Sequence, residues 1–91
     1  MKISLFIATL ALLPTIAFAD FSVSLRYGDR GEKVIELQEF LIEQGFLNYQ
    51  PTGNFYSLTK KAVKAFQTFH ALPSTGFFGV MSRTKANQLL A

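Results

Sequence analysis

Cysteine is missing from the 91-residue chain, and that absence removes several possibilities together. No disulfide can staple the fold, no thiolate can act as a nucleophile, and neither haem attachment nor a cysteine-type zinc site is available. Lipid attachment at a cysteine behind an apolar leader is excluded on the same ground. Histidine is nearly as scarce, since His70 stands alone. A zinc site needs three or four ligands, which one imidazole and distant acids cannot supply. Acids are absent from the second half, because all six (Asp20, Asp29, Glu32, Glu36, Glu39 and Glu43) precede residue 44. Hydrolysis by a carboxylate pair requires two acids converging in a cleft, whereas these line a solvated helix face. The chain is therefore read as non-catalytic, with no cofactor and no metal.

Long apolar runs are lacking too, apart from one at the start. Ile3 to Phe18 is almost wholly apolar, follows Lys2 and is interrupted by Pro14. It falls short of the ~20 residues that a membrane-spanning helix needs. With Ala17-Phe18-Ala19 as a small-x-small cleavage signature, residues 1–19 read as a signal peptide, the alternative being an uncleaved anchor. Residues 20–91 are then the working domain, exported to the periplasm, cell wall or outside, with no stable membrane insertion after cleavage. A domain this short buries only about 60% of its unfolded surface. Eight of the ten phenylalanines lie beyond residue 19, and ring burial is expected to replace covalent staples.

Charge is segregated. Past Glu43 come Lys60, Lys61, Lys64, Arg83 and Lys85, so the front of the domain is net negative and the back net positive. A basic half favours an anionic partner, or simply keeps a small domain soluble.

Phe21 to Tyr27 reads as extended, with Phe21, Val23 and Leu25 alternating. Gly28-Asp29-Arg30-Gly31 is a tight turn into a first helix, where Asp29 is expected to cap and Glu32 to approximate a capping box. Between Glu32 and Gln44, Val34, Leu37 and Leu41 recur at helical spacing, and Gly45 stops the helix with Phe46 folding back. Pro51 and Gly53 mark a loop, after which Ser57 is expected to cap a helix over about 58–70. Ala62, Val63, Phe66 and Phe69 form its apolar stripe, with Lys60, Lys61 and Lys64 outside. A third helix from about Met81 to Leu90 is expected to bury Ala86, Leu89 and Leu90. His70, at the end of the second helix, suits the dipole as a cation.

Two segments are alike. Gly53-Asn54-Phe55 precedes Thr59-Lys60, Val63 and Phe66, just as Gly76-Phe77-Phe78 precedes Ser82-Arg83, Ala86 and Leu89. Each unit is a glycine turn, an aromatic wedge, a hydroxyl residue near a helix start and an apolar helix face. The six glycines are expected to supply special backbone angles rather than phosphate contacts, and Gln38 and Gln67 to bond loop backbone. Together these features predict an all-α fold, a compact three-helix bundle of short helices joined by glycine-containing turns.

The run Leu25-x2-Gly28-x2-Gly31-x2-Val34-x2-Leu37-Gln38-x2-Leu41-x3-Gly45 resembles the opening of peptidoglycan-binding-like domains. The likeness continues through Gly53-x-Phe55-x3-Thr59-x2-Ala62-Val63-x2-Phe66-Gln67 and closes with Leu72-x3-Gly76-x2-Gly79-x2-Ser82-Arg83. Six residues depart from it. Thr52 and Thr75 replace the usual aspartate before the turn glycine, and Tyr56 replaces a glycine in the first unit. Ser57 or Val80 replaces the proline that follows, and Ser82 a threonine. The resemblance implies a three-helix module that holds a protein on bacterial peptidoglycan.

On that reading the ligand-binding candidates are Tyr49, Asn54, Tyr56, Lys60, Phe77 and Arg83. Aromatic faces suit sugars and cations suit stem-peptide carboxylates, whereas Phe55 and Phe78 are core wedges. Peptidoglycan is the expected partner. The alternative is an exported protein-interaction module that docks on or inhibits an envelope enzyme. Nucleic-acid binding by a helix-turn-helix fits the short helices and late basic cluster but not an export signal.

Overall fold

Residues 20–91 are described by the computed structural model, and the signal-peptide reading of residues 1–19 lies outside the described residues. The chain enters extended, with Phe21 and Leu25 buried and Val23 left 43% exposed. It then reverses at Arg26–Asp29. There the Asp29 N–H donates to the Arg26 carbonyl (3.0 Å), and Gly28 takes φ 99°, as the third position of a type II turn requires. Asp29 does not cap the following helix as expected. Its Oδ2 accepts the Arg26 N–H at 2.9 Å, closing this turn instead, and Gly31 holds the N-cap position without a side-chain bond.

Three helices follow: α1 (Glu32–Glu43), α2 (Ser57–Phe69) and α3 (Val80–Leu90). Among the described residues the only β pairing is two isolated bridges, Leu25 with Phe78 and Arg30 with Asn54. The all-α three-helix expectation holds. Ser57 is the first helical residue rather than the cap, a position taken by Tyr56. Val34, Leu37 and Leu41 from α1 meet Ala62, Val63 and Phe66 from α2, while α3 contributes Ala86. Two expected core residues of α3 stay out. Leu89 and Leu90 are 43% and 44% exposed, because Ser82 and Ala86 face inward one turn apart and set the buried face. Phe69 is likewise 72% exposed, lying past the end of the Ala62–Phe66 stripe.

Aromatic rings fill the interior. Phe66 lies edge-on to Phe40 at 5.5 Å and Phe46 at 5.8 Å, and Phe21 is edge-on to Phe40 and Phe78 at 5.3 and 5.2 Å. Such edge-to-face geometry adds about 0.5–1.5 kcal/mol per pair beyond burial.

Helices α1 and α2 stop in the same way. After α1 the Phe46 N–H donates to the Leu41 carbonyl and the Gly45 N–H to that of Ile42, a Schellman cap with Gly45 at φ 87°. After α2 the pattern repeats through Leu72 to Gln67 and Ala71 to Thr68, but the left-handed residue is Ala71, at φ 58°. A Cβ in that region costs about 1 kcal/mol. Ala71→Gly is therefore expected to raise stability by about 0.5–1 kcal/mol, less any extra entropy of the unfolded chain, as read from urea unfolding.

The extended entry segment is tied to the last helix. The Phe21 N–H donates to Asn87 Oδ1 (2.7 Å) and Asn87 Nδ2 donates to the Phe21 carbonyl (3.1 Å), while Leu25 and Phe78 exchange two backbone bonds.

Candidate functional site

Two buried glutamines build the two loop corners. Gln38 comes from α1, and its Oε1 accepts the Thr52 and Gly53 N–H groups at 2.9 and 2.8 Å. Its Nε2 donates to the Asn54 carbonyl (3.0 Å) and to Thr59 Oγ1 (2.9 Å). Gln67, from α2, repeats the device. Its Oε1 accepts the Gly76 N–H (2.9 Å), and its Nε2 donates to the Phe77 carbonyl and Ser82 Oγ, both at 2.9 Å. The expectation that these amides hold loop backbone is met at both sites.

The threonines that replace aspartate fit the same frame. Thr52 Oγ1 accepts the Asn54 N–H (3.1 Å) and Thr75 Oγ1 the Phe77 N–H (3.0 Å). This is the two-residue reach an aspartate carboxylate would make, here without its negative charge. Gly53 and Gly76 take φ 84° at the turns, where a side chain would be strained. Gly79 departs from the expected role, since its φ is −102°. What it lacks is space, because a Cβ would sit 2.5 Å from the Phe77 ring.

Each corner walls a groove, and the two grooves are related by the repeat. The first, ≈ 270 Å³, is lined by Gln38, Leu47, Tyr49, Gln50, Thr52, Asn54, Tyr56, Ser57, Leu58 and Thr59. The second, ≈ 370 Å³, is lined by Gln67, Leu72, Pro73, Thr75, Phe77, Gly79, Val80, Met81 and Ser82. Positions 52, 54, 56, 57, 58 and 59 correspond to 75, 77, 79, 80, 81 and 82. The linings differ in chemistry. The first groove presents two phenols and three amides beside Leu47 and Leu58, whereas the second presents Phe77, Val80, Met81 and Pro73. The exposed aromatic also changes side of the buried wedge, being Tyr56 after Phe55 but Phe77 before Phe78.

The six candidate residues thus fall into separate places. Tyr49, Asn54 and Tyr56 share the first groove, and Phe77 lines the second. Lys60 lies in a shallow depression with Tyr27 and Ser57. Arg83, the repeat equivalent of Lys60, donates from Nε to Ser24 Oγ (3.3 Å). Gln50 and Leu58 of the first groove escaped the sequence reading. Leu58 was within reach, because the 23-residue offset pairs it with Met81 in the second groove.

His70 belongs to neither groove. Its ring packs among Phe66 (4.7 Å), Phe69 (5.0 Å) and Phe46 (6.4 Å), and its Nε2 is buried without a hydrogen-bond partner. Burial first, and then the charge of Lys85, lower its pKa below the ordinary 6.5. The imidazole is accordingly neutral at pH 7 and packs as an aromatic, which corrects the expectation of a cation at the helix end. With the folded pKa below the unfolded one, the unfolded chain takes up the proton first. The stability this neutral ring supplies is thus present above pH 6.5 and lost as pH falls below it. Urea unfolding midpoints should decline from pH 7 to 5 in the native chain, and His70→Phe should flatten that slope.

No metal-binding group of three or more His, Cys, Asp or Glu occurs among the described residues, and no described helix is long and apolar enough to cross a membrane. The family model for a peptidoglycan binding domain matches residues 30–81. No curated protein matches. Among solved structures, the SleB N-terminal domain is similar at 31% identity and TM-score 0.72, over 82% of this chain and 100% of that one. An endolysin of the Burkholderia phage AP3 is 36% identical with TM-score 0.67, over 70% of this chain and 24% of its own. A peptidoglycan-binding protein from Clostridioides difficile is 28% identical with TM-score 0.70, over 78% and 44%. The chain thus spans all of the SleB domain and less than half of the other two. The family match covers more than half of the sequence and contains both corner glutamines with their glycine turns, and the protein belongs to the peptidoglycan-binding domain family.

Proposed function

We propose that this chain is an exported, non-catalytic module that retains itself, or a partner, on bacterial peptidoglycan through the first groove. The observation carrying this reading is the set of Tyr49, Asn54 and Tyr56 on a backbone locked by Gln38, within a chain whose family is defined by peptidoglycan binding. Tyr49 and Tyr56 are 60% and 44% exposed. Their faces suit sugar rings, the amides of Asn54 and Gln50 suit hydroxyl and N-acetyl groups, and Lys60 beside the groove suits a stem-peptide carboxylate. Phe77 and Arg83 supply a second contact region at the other corner. The apolar lining of the second groove supports another use for that face, docking on an envelope enzyme.

Sedimentation with insoluble purified peptidoglycan tests the proposal. The native chain should pellet with the polymer, and Tyr49→Ala with Tyr56→Ala should weaken binding at least about tenfold. A native chain that stays in the supernatant overturns the function, while an unaffected double variant overturns the site. Export by cleavage after Ala19 predicts a secreted product beginning at Asp20, read by intact mass. Release of soluble wall fragments by the purified protein would refute the non-catalytic assignment.

A further inference from the structure

We propose that the outer face of α2, with Tyr27 and Tyr56 at its start, docks on an anionic phospholipid surface, a contact that borders the wall-binding groove at Tyr56 but draws its charge from lysines outside it. Lys60, Lys61 and Lys64 are all exposed on this face, and none is neutralised, because the single ion pair among the described residues is Lys33–Glu36 at 3.6 Å. Like charges at i and i+4 work against the helix that carries them, so the cluster serves no purpose in holding the fold. Its placement is nonetheless defined. Gly76 leaves room for the stems, since a Cβ there would lie 2.9 Å from Lys60 Cγ and 3.4 Å from Lys64 Cγ. The two stems therefore lie across the second corner with their ammonium groups free.

Beside them the type II turn projects Tyr27, whose ring meets that of Tyr56 at 5.7 Å, and both phenols are largely exposed. Tyr27, Ser57 and the three lysines share one shallow depression. Phenol rings have an apolar body and a polar tip, and lysine stems cover apolar surface while their charge stays in water. That combination suits the headgroup level of a bilayer.

Two further observations favour an extended anionic plane. First, these lysines present free point charges, which phosphates accept without the bidentate geometry of an arginine fork. The nearby arginines are engaged elsewhere, Arg83 with Ser24 and Arg26 over the Phe77 ring at 4.9 Å. Second, the acids are gathered on a different helix. Glu32, Glu36, Glu39 and Glu43, all exposed, follow one another at i, i+4, i+7 and i+11 along α1. An extended anionic plane attracts the lysine face and repels this stripe, so it selects a single orientation of the molecule. A single linear chain lying on α2 would gain nothing from that separation.

Lys61 and Lys64 line neither groove, which keeps the two contacts separable. The test is co-sedimentation of the full chain with phosphatidylcholine vesicles, with and without about 30 mol% phosphatidylglycerol. The expected result is binding that requires the anionic lipid and disappears near ~0.5 M salt. Lys61→Ala with Lys64→Ala should lower the partition coefficient about 30-fold, at roughly fivefold per lysine, while sedimentation with peptidoglycan is unchanged. Equal partition onto neutral and anionic vesicles, or an unaffected double variant, overturns the proposal. So does a double variant that loses the wall polymer but keeps the vesicles, which would assign these lysines to stem-peptide carboxylates. Failure of the native chain to pellet with peptidoglycan would sink the wall-binding reading alone.

Discussion

Replacing Gln38 by alanine is expected to remove about 3–5 kcal/mol of stability, enough to leave much of the protein unfolded at room temperature. The side chain is 2% exposed and satisfies two backbone N–H groups, one backbone carbonyl and the Thr59 hydroxyl. Alanine leaves those groups without their partner, two of the four bonds being fully buried, and each stranded buried group costs about 1–3 kcal/mol. Gln38→Glu distinguishes hydrogen bonding from volume. It keeps the acceptor for Thr52 and Gly53 but turns an oxygen toward the Asn54 carbonyl, so it too should destabilise despite its matched size. Urea unfolding of both variants is the measurement. A loss below about 1 kcal/mol for alanine would mean that water replaces the amide at this corner.

The second large effect is expected at Phe66. Its side chain is fully buried, and its ring meets those of Phe40, Phe46 and His70, with Phe78 at 6.4 Å. Phe66→Ala should cost about 3–5 kcal/mol through lost transfer energy and the cavity left behind. A domain of this size holds little more than about 5 kcal/mol in total. Near-complete loss of the cooperative unfolding transition in circular dichroism is therefore expected, with Phe66→Leu retaining a weakened one. The contrast with Phe69 is informative. One turn on and 72% exposed, Phe69→Ala should change stability by less than about 1 kcal/mol.

Those two phenylalanines show where sequence pattern carries information and where it stops. Periodicity places Phe66 and Phe69 on one stripe, three residues apart, and only the contact with α1 decides that the stripe ends at Phe66. Leu89 and Leu90 fail in the same way, because α3 is held by Ser82 and Ala86 and not by its largest residues. Glycine spacing was a better guide. Gly45, Gly53 and Gly76 each take the positive φ their context implies, and Gly79 is excused only because Phe77 lies over it. The corner glutamines were legible because each directly follows a core residue, Leu37 or Phe66, ahead of a glycine turn. Groove membership was half legible. Tyr49, Asn54 and Tyr56 converge as loop residues around one turn should, but Lys60 and Arg83 share a helical position without sharing a site. Their divergence comes from Ser24 and Tyr27 in the extended entry segment, which no local pattern places beside either helix.

The clasp between Phe21 and Asn87 joins residues 66 positions apart. With the Leu25–Phe78 pair beside it, the first strand-like segment has no backbone partner until the second corner has been made. A chain growing from its N-terminus therefore cannot close this side of its interior until Phe78 and Asn87 have been synthesised. Trimming a few residues from the C-terminal helix should consequently unseat Phe21 at the opposite end, and protease nicking near residue 21 would be its first sign.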